Sequence, residues 1–357
     1  ATVEFLLYFD YFARKDFGED YLNTKTNTIC NHLQHAVYAI NQPAAARGYQ
    51  SVFWNISLYD KPYFDSMFGD FVFPDSTKPE WESLMNLQDF FMSWFNSERE
   101  KAVLTFPVVT AAMLVKDGKP VDSQFAEMCA KELSEGNSFF IYQSESADSL
   151  ASCCRLRNEI SDNTFSYSLG AGGVSTGSIN VITLNMNRLV QKGNSLQENI
   201  SKIQKYQVAY RLLIEEYKKA GLLPVYDAGF ISLDKQFLTI GINGMVEAAE
   251  YCGIAAQNTQ EYKDYVTSHL KVIFDSNKEA KEKYGYMFNT EFVPAENLGV
   301  KNAKWDKEDG LFVQRDCYNS YFYQVEDTTV NSLDKIIMHG EGVIKYLDGG
   351  SALHLNL

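Results

Sequence analysis

Short β-branched and aromatic runs alternate along this chain with segments long enough for whole helices, and that alternation constrains the fold more than any other feature. Strand-like runs fall at 51–57, 102–114, 138–142, 178–185, 237–242, 284–293 and 321–325, and they read as apolar on both faces. Between them, Trp81, Leu84, Leu87, Phe91 and Trp94 recur at three- and four-residue spacing, behind Asp75, Ser76 and a Pro79 suited to a helix's first turn. A second helix is expected over 196–220, with Ile200, Ile203, Tyr206, Leu213 and Tyr217 on related faces and Gly221 as its stop. Strands separated by whole helices return parallel to one another, whereas antiparallel neighbours close through short turns. The pattern therefore predicts an α/β fold with a mainly parallel sheet. No Pro/Gly/Ser linker or internal repeat interrupts it, so 1–357 is expected to be a single domain. Pattern alone leaves a closed barrel and an open sheet as alternatives.

Charge and cysteine usage exclude several function classes. The net charge is −14, from 46 acidic and 32 basic residues, and no run of five or six Lys/Arg occurs. Binding to nucleic acid through its phosphates is therefore not expected. No stretch approaches eighteen apolar residues, and Glu4, Asp10, Arg14 and Lys15 break up the first twenty positions. A cytoplasmic chain with no membrane association is the expectation. Cys30, Cys129, Cys153, Cys154, Cys252 and Cys317 show no CxxC spacing, which favours reduced thiols over a disulfide framework or a structural zinc site. The chain begins at Ala1 without methionine and stops inside the apolar-alternating run 351–357, so further sequence is expected at both ends.

Four local features invite a chemical reading. Gly170-Ala171-Gly172-Gly173 could offer backbone N–H groups to an anion, but it precedes a strand and lacks GK[ST], so a flexible loop is the better reading. His32 and His35 could present two imidazoles to a metal, but Asn31 and Gln34 beside them are weak ligands, and a packed helix is expected. Cys153-Cys154 precede Arg155 and Arg157, which would give an exposed thiol the cationic surroundings that suit redox chemistry; a buried, inert pair is the alternative. Glu291 and Glu296 lie at the end of a buried-looking strand, around Pro294, where burial and mutual repulsion can prepare a carboxylate for proton transfer. Glu296 also fits a helix cap, whereas Glu291 lies near Phe288 and beside Phe292 and is harder to read as solvent-facing.

Five segments in order, ASCCRLRN (151–158), GSINVITLNMNRL (177–189), LTIGINGMVEAAEYCGI (238–254), FVPAENLGVK (292–301) and LDGGSALHLNL (347–357), resemble the anaerobic (class III) ribonucleotide reductases of the glycyl radical enzyme superfamily. The resemblance covers essentially the whole chain. It implies a ten-stranded α/β barrel of two five-stranded halves, incomplete in this chain, with a finger loop presenting a cysteine at the centre. CCR matches that loop, so Cys154 is expected to carry the thiyl radical, with Cys153 as its neighbour. The implied activity is reduction of ribonucleoside triphosphates to deoxyribonucleotides. The ribose 3′-hydrogen is removed as the 3′-hydroxyl loses a proton, the 2′-hydroxyl leaves as water, the resulting radical is reduced, and hydrogen returns from the cysteine, inside a barrel that shelters the radical from water and oxygen.

Glu291 stands where formate-using members tend to carry Tyr, which makes it the expected general base. Ser178, where those members often carry Asn, points the same way, toward a thioredoxin-like reductant in place of formate. Substrate contacts are implied at Ser178, Asn185, Asn297, Asn319, Ser320 and the Gly349–Gly350 turn. Further implied partners are dNTP and ATP effectors, a radical S-adenosylmethionine activase and a second copy of the chain. A glycyl radical and zinc would belong beyond Leu357 and an ATP-cone before Ala1, so this chain is expected to bind no cofactor and to be inactive alone. Two alternatives remain. One is a glycyl radical enzyme of the pyruvate formate-lyase type, against which GSINVITLN and PAENLGVK count; the other is a nucleotide-binding fragment without chemistry of its own.

Overall fold

Two sheets built mainly of parallel strands organise the chain, one in each of the units into which it divides, Ala1–Cys153 with Asn158–Val174 and Cys154–Arg157 with Ser175–Leu357. The computed structural model describes residues 4–45, 51–52, 54–147, 149–151, 157–159, 177–229, 231–292, 297–325, 327 and 329–355. In the first unit, α1 (Phe5–Phe17), α2 (Tyr21–Thr24) and α3 (Thr26–Asn41) precede β1 (Asn55–Tyr59). Helices α4 (Lys61–Phe68) and α5 (Trp81–Lys101) lead to β2 (Val108–Lys116), and β3 (Lys119–Pro120) with α6 (Ser123–Ser134) leads to β4 (Phe140–Ser144). Strands β1 and β4 both pair in parallel with β2, and β3 folds back antiparallel on its end.

Side chains join these elements end to end. The buried Asp60 caps α4 by accepting the Tyr63 N–H at 2.9 Å and also accepts the Leu114 N–H of β2 at 2.6 Å. Gln88, on the buried face of α5, completes the outer edge of β1: its Oε1 accepts the Tyr59 N–H at 2.7 Å and its Nε2 donates to the Tyr59 carbonyl at 3.0 Å. The strand expected at 102–114 begins only at Val108. Pro107 has no N–H for a ladder, and the Asn41 amide takes both backbone groups of Phe106 instead. A two-stranded sheet of β5 (Ser149–Ala151) and β6 (Arg157–Glu159) follows. Cys153, Cys154, Arg155 and the 170–173 glycine segment lie outside the described residues.

The second unit begins with β7 (Gly177–Asn185), α7 (Met186–Gln191), α8 (Leu196–Lys219), α9 (Pro224–Asp227) and β8 (Gln236–Asn243). It continues with α10 (Met245–Tyr251), α11 (Gln260–Tyr284), β9 (Met287–Phe292), α12 (Leu298–Glu308), α13 (Ser332–Met338), α14 (Glu341–Ile344) and β10 (Gly350–Ser351). All four strands are parallel, and their order in the sheet, β7–β8–β9–β10, is their order in the chain. Right-handed crossovers repeated in one direction deliver every helix to the same face of such a sheet. Leu184, Ile240, Ile242 and Phe292 share a core there with Val246, Val266, Leu270 and Ile273 from the helices.

Three expectations need correction in this unit. The strand expected at 284–293 is shorter, because Tyr284 ends α11 and Gly285 takes the left-handed cap at φ 72°. Residues 321–325 form no strand. Phe322 and Tyr323 are buried there, but the Phe322 carbonyl accepts from the Tyr262 hydroxyl, and the Tyr323 hydroxyl donates to the His354 carbonyl and accepts its N–H. Aromatic content imitated a strand while side chains took over backbone pairing. Finally, β8 is not apolar on both faces, since Thr239, Gly241 and Asn243 alternate with Leu238, Ile240 and Ile242.

Candidate active site

Strand periodicity sends alternate residues to opposite faces, so the face of the second sheet away from the helices carries Thr239 and Gly241 of β8, Val181 and Thr183 of β7, and Asn289 and Glu291 of β9, as their register requires. The Thr239 hydroxyl donates to Asn289 Oδ1 at 2.6 Å and lies 2.6 Å from the Ser178 hydroxyl. Short polar groups can be buried here because they satisfy one another across three strands. One group is left over: Asn289 Nδ2 is buried without an acceptor.

One step further along the strands, Thr183, Gly241, Glu291 and Gly350 form a cross-strand row. Gly241 is required there, since a Cβ would fall 2.5 Å from Thr183 Oγ1. Glu291, only 7% exposed, thus has a residue without a side chain on each neighbouring strand. On the β8 side the space over Gly241 is taken up by the Thr183 side chain, so the row is closely packed there. Glu291 lies near the C-terminal end of a parallel strand, where α/β sheets bind ligands.

Beyond the strand ends a buried polar network holds the 311–320 loop. Asn185 caps α7 by accepting the Arg188 N–H at 3.1 Å, and its Nδ2 donates to both carboxylate oxygens of Asp306 at 3.2 and 3.1 Å. Tyr318 donates its hydroxyl to Asp306 at 2.9 Å; burial first, then that bond, pushes the phenol upward from its ordinary range. Glu247, fully buried, accepts from Arg315 and from both the backbone and side-chain N–H groups of Asn319. Asn243 donates to the Asn319 carbonyl at 3.1 Å and to Ser320 Oγ at 3.4 Å. At the other end of the sheet, Asp348 Oδ1 accepts the Thr290 N–H at 2.8 Å, and burial raises its carboxyl to about 6.

The family model for anaerobic ribonucleoside-triphosphate reductases matches residues 1–357. The chain belongs to that family. Among solved reductase structures, the Thermotoga maritima anaerobic enzyme in complex with dATP and CTP is 30% identical at a TM-score of 0.83, over 99% of this chain and 61% of that one. The same organism's enzyme with dATP in the specificity site is 29% identical at 0.81, over 99% and 62%. With citrate in the active site it is 28% identical at 0.78, over 98% and 64%. This reductase-family chain therefore spans about three fifths of the length of these relatives. No curated protein sequence matches it.

Against this geometry the expected site residues fall into groups. Ser178 and Glu291 share the helix-free face, and Gly350 pairs with Glu291. Gly349 and Gly350 offer the absence of a side chain, because their N–H groups already donate to the Thr290 and Leu347 carbonyls. Asn185, Asn319 and Ser320 belong to the network that holds the loop, and Asn297, exposed and left-handed at φ 57°, starts α12. Cys153, Cys154 and Glu296 lie outside the described residues. His32 and His35 sit on α3, with the His32 ring stacked on Phe17, and among the described residues no cluster of three His, Cys, Asp or Glu could hold a metal ion. Sequence reasoning missed Thr239, Asn289, Gly241 and Asp348. The signal for Thr239 and Gly241 was the strict alternation in LTIGIN, which leaves a polar or small residue at every second position, whereas FNTEF, with three polar residues in a row, gave no such signal for Asn289.

Proposed function

We propose that this chain forms the catalytic core of an enzyme that reduces ribonucleoside triphosphates to deoxyribonucleotides by thiyl-radical chemistry, its two sheets being parts of one ten-stranded barrel. The observation that carries this reading is Glu291, buried on the helix-free face of a parallel sheet between two glycines. A base near the C-terminal end of such a strand can take a proton from a hydroxyl brought to that face, and its burial keeps water away. On this reading Cys154, beside Cys153, removes the ribose 3′-hydrogen, Glu291 takes the 3′-hydroxyl proton and passes it to the 2′-hydroxyl, which departs as water; two electrons and two protons from the thioredoxin-like reductant reduce the resulting radical, and Cys154 returns its hydrogen to the 3′-carbon. Ser178 orients the ribose, with Thr239 and Asn289 behind it. Asn185, Asn319 and Ser320 hold the loop at the strand ends, and Asn297 with the Gly349–Gly350 turn borders the nucleotide.

A glycyl radical, which family membership implies, supplies the one-electron oxidation of a thiol when present. Among the described strand residues on the face of Glu291, Ser178, Val181, Thr183, Thr239, Gly241, Asn289 and Gly350, none is a Tyr, Trp or Cys that would compete for an unpaired electron. The dATP and CTP bound by the Thermotoga relative support nucleotide substrates and dNTP effectors as part of the proposal. A radical S-adenosylmethionine activase, a thioredoxin-like reductant and a second copy of the chain complete it. The test is Glu291→Gln in the complete, anaerobically activated reductase. Turnover should fall about 10²- to 10⁴-fold, the usual contribution of a general base, with nucleotide affinity little changed. Unchanged turnover at matched radical content would return Glu291 to a structural role.

A further inference from the structure

We propose that Asp348 is a positioning residue for Glu291, fixing the strand from which that carboxylate is presented; the proposal rests on the role given to Glu291 above. Strand β10 pairs with β9 only from Gly350 opposite Glu291 and Ser351 opposite Phe292. One residue earlier a side chain replaces the ladder. The Thr290 N–H donates to Asp348 Oδ1 at 2.8 Å, and the Gly349 N–H donates to the Thr290 carbonyl at 2.8 Å. The Thr290 hydroxyl is held from the helix side, accepting from Asn277 Nδ2 at 2.9 Å. All three polar groups of the residue before Glu291 therefore have fixed partners, and two of those partners belong to the 348–349 turn.

The turn also comes too close for ordinary residues. A Cβ on Gly349 would lie 2.7 Å from the Thr290 carbonyl oxygen and 3.1 Å from Asn289 Cγ. Asp348 thus reaches a backbone N–H that a regular strand would have served with a carbonyl. Without it, Thr290 loses a buried partner on the side of β10 and the peptide leading into Glu291 is free to shift. Misplacement by about 1 Å can cost about 10²-fold in rate.

The test uses the complete reductase, activated to equal glycyl radical content in every variant. Asp348→Ala should lower kcat roughly tenfold or more, as expected for a displaced catalytic group, with KM for the ribonucleotide little changed. Asp348→Asn keeps an acceptor oxygen and should recover most of that loss. Amide exchange of the peptide containing Thr290 should be faster in the alanine variant and return toward the wild-type rate with asparagine. Asp348→Ser, whose oxygen is out of reach, replaces the alanine variant should that one not fold. Wild-type kcat in Asp348→Ala overturns the proposal, and so does an asparagine variant as slow as alanine, since charge and not the hydrogen bond would then be the agent. Glu291→Gln run alongside separates the levels. Full turnover there removes the role of Glu291 itself, whereas a slow Glu291→Gln beside a fast Asp348→Ala removes only the positioning.

Discussion

Replacing Asp348 by Asn should stabilise the folded chain at neutral pH and do nothing in acid. The carboxyl has an ordinary value of 3.8 and is held at about 6 by burial, which outweighs the N–H groups that donate to it. For an acid raised on folding, the sign is unfavourable. Below its unfolded value both states are protonated and no cost arises. Between about 4 and 6 the unfolded chain ionises first and stability falls; above about 6 the full cost, roughly 3 kcal/mol, is present. Asparagine keeps the oxygen that accepts the Thr290 N–H and carries no charge, so it should recover up to that amount. The assay is urea unfolding of wild type and Asp348→Asn at pH 3.5, 5 and 7.5, reading the difference between them, in which all other titrating groups cancel. A difference that stays constant with pH, or a mutant less stable than wild type at pH 7.5, would refute the reasoning.

The helix-free face supports two further expectations. Gly241→Ala should destabilise by about 1–3 kcal/mol, the usual cost of overpacking, and Thr183→Ala added to it should restore part of the loss, because the clash is with Thr183 Oγ1; additive effects in denaturant unfolding would contradict this. Thr239→Val removes the hydroxyl shared by Ser178 and Asn289. It should cost about 1–3 kcal/mol for the polar groups left unpaired, and a mutant as stable as wild type would show that those groups find other partners.

A parallel α/β architecture was legible because crossover length is written directly into the chain: apolar runs separated by helices such as α5 and α8 have few other ways to pair. The face of each strand was harder to read. In LTIGIN both sets of alternate residues end up buried, and only lateral partners from β7 and β9, far away in sequence, make Thr239 as content there as Ile240 is among the helices. The burial of Glu291 was legible because a carboxylate close to two phenylalanines is hard to turn toward solvent. Asp348 was not, since nothing in LDGG announces that its side chain will stand in for a strand carbonyl. The 321–325 run misled for the opposite reason: its composition suits a strand, but Tyr262 and His354 supply its hydrogen bonds from elsewhere in the fold.

Gln88 has a consequence for how this protein meets other chains. The outer side of β1, at the end of its sheet among the described strands, would ordinarily be a template on which another strand could zip up. At Tyr59 both the N–H and the carbonyl are already claimed by the Gln88 amide from α5. An incoming strand could register only on the residues before Tyr59, a length shorter than the roughly five to six residues of a usual strand. One glutamine thus closes the last rung on this side of β1, so that a neighbouring strand, whether of the barrel or of another chain, can pair no further than Ser57.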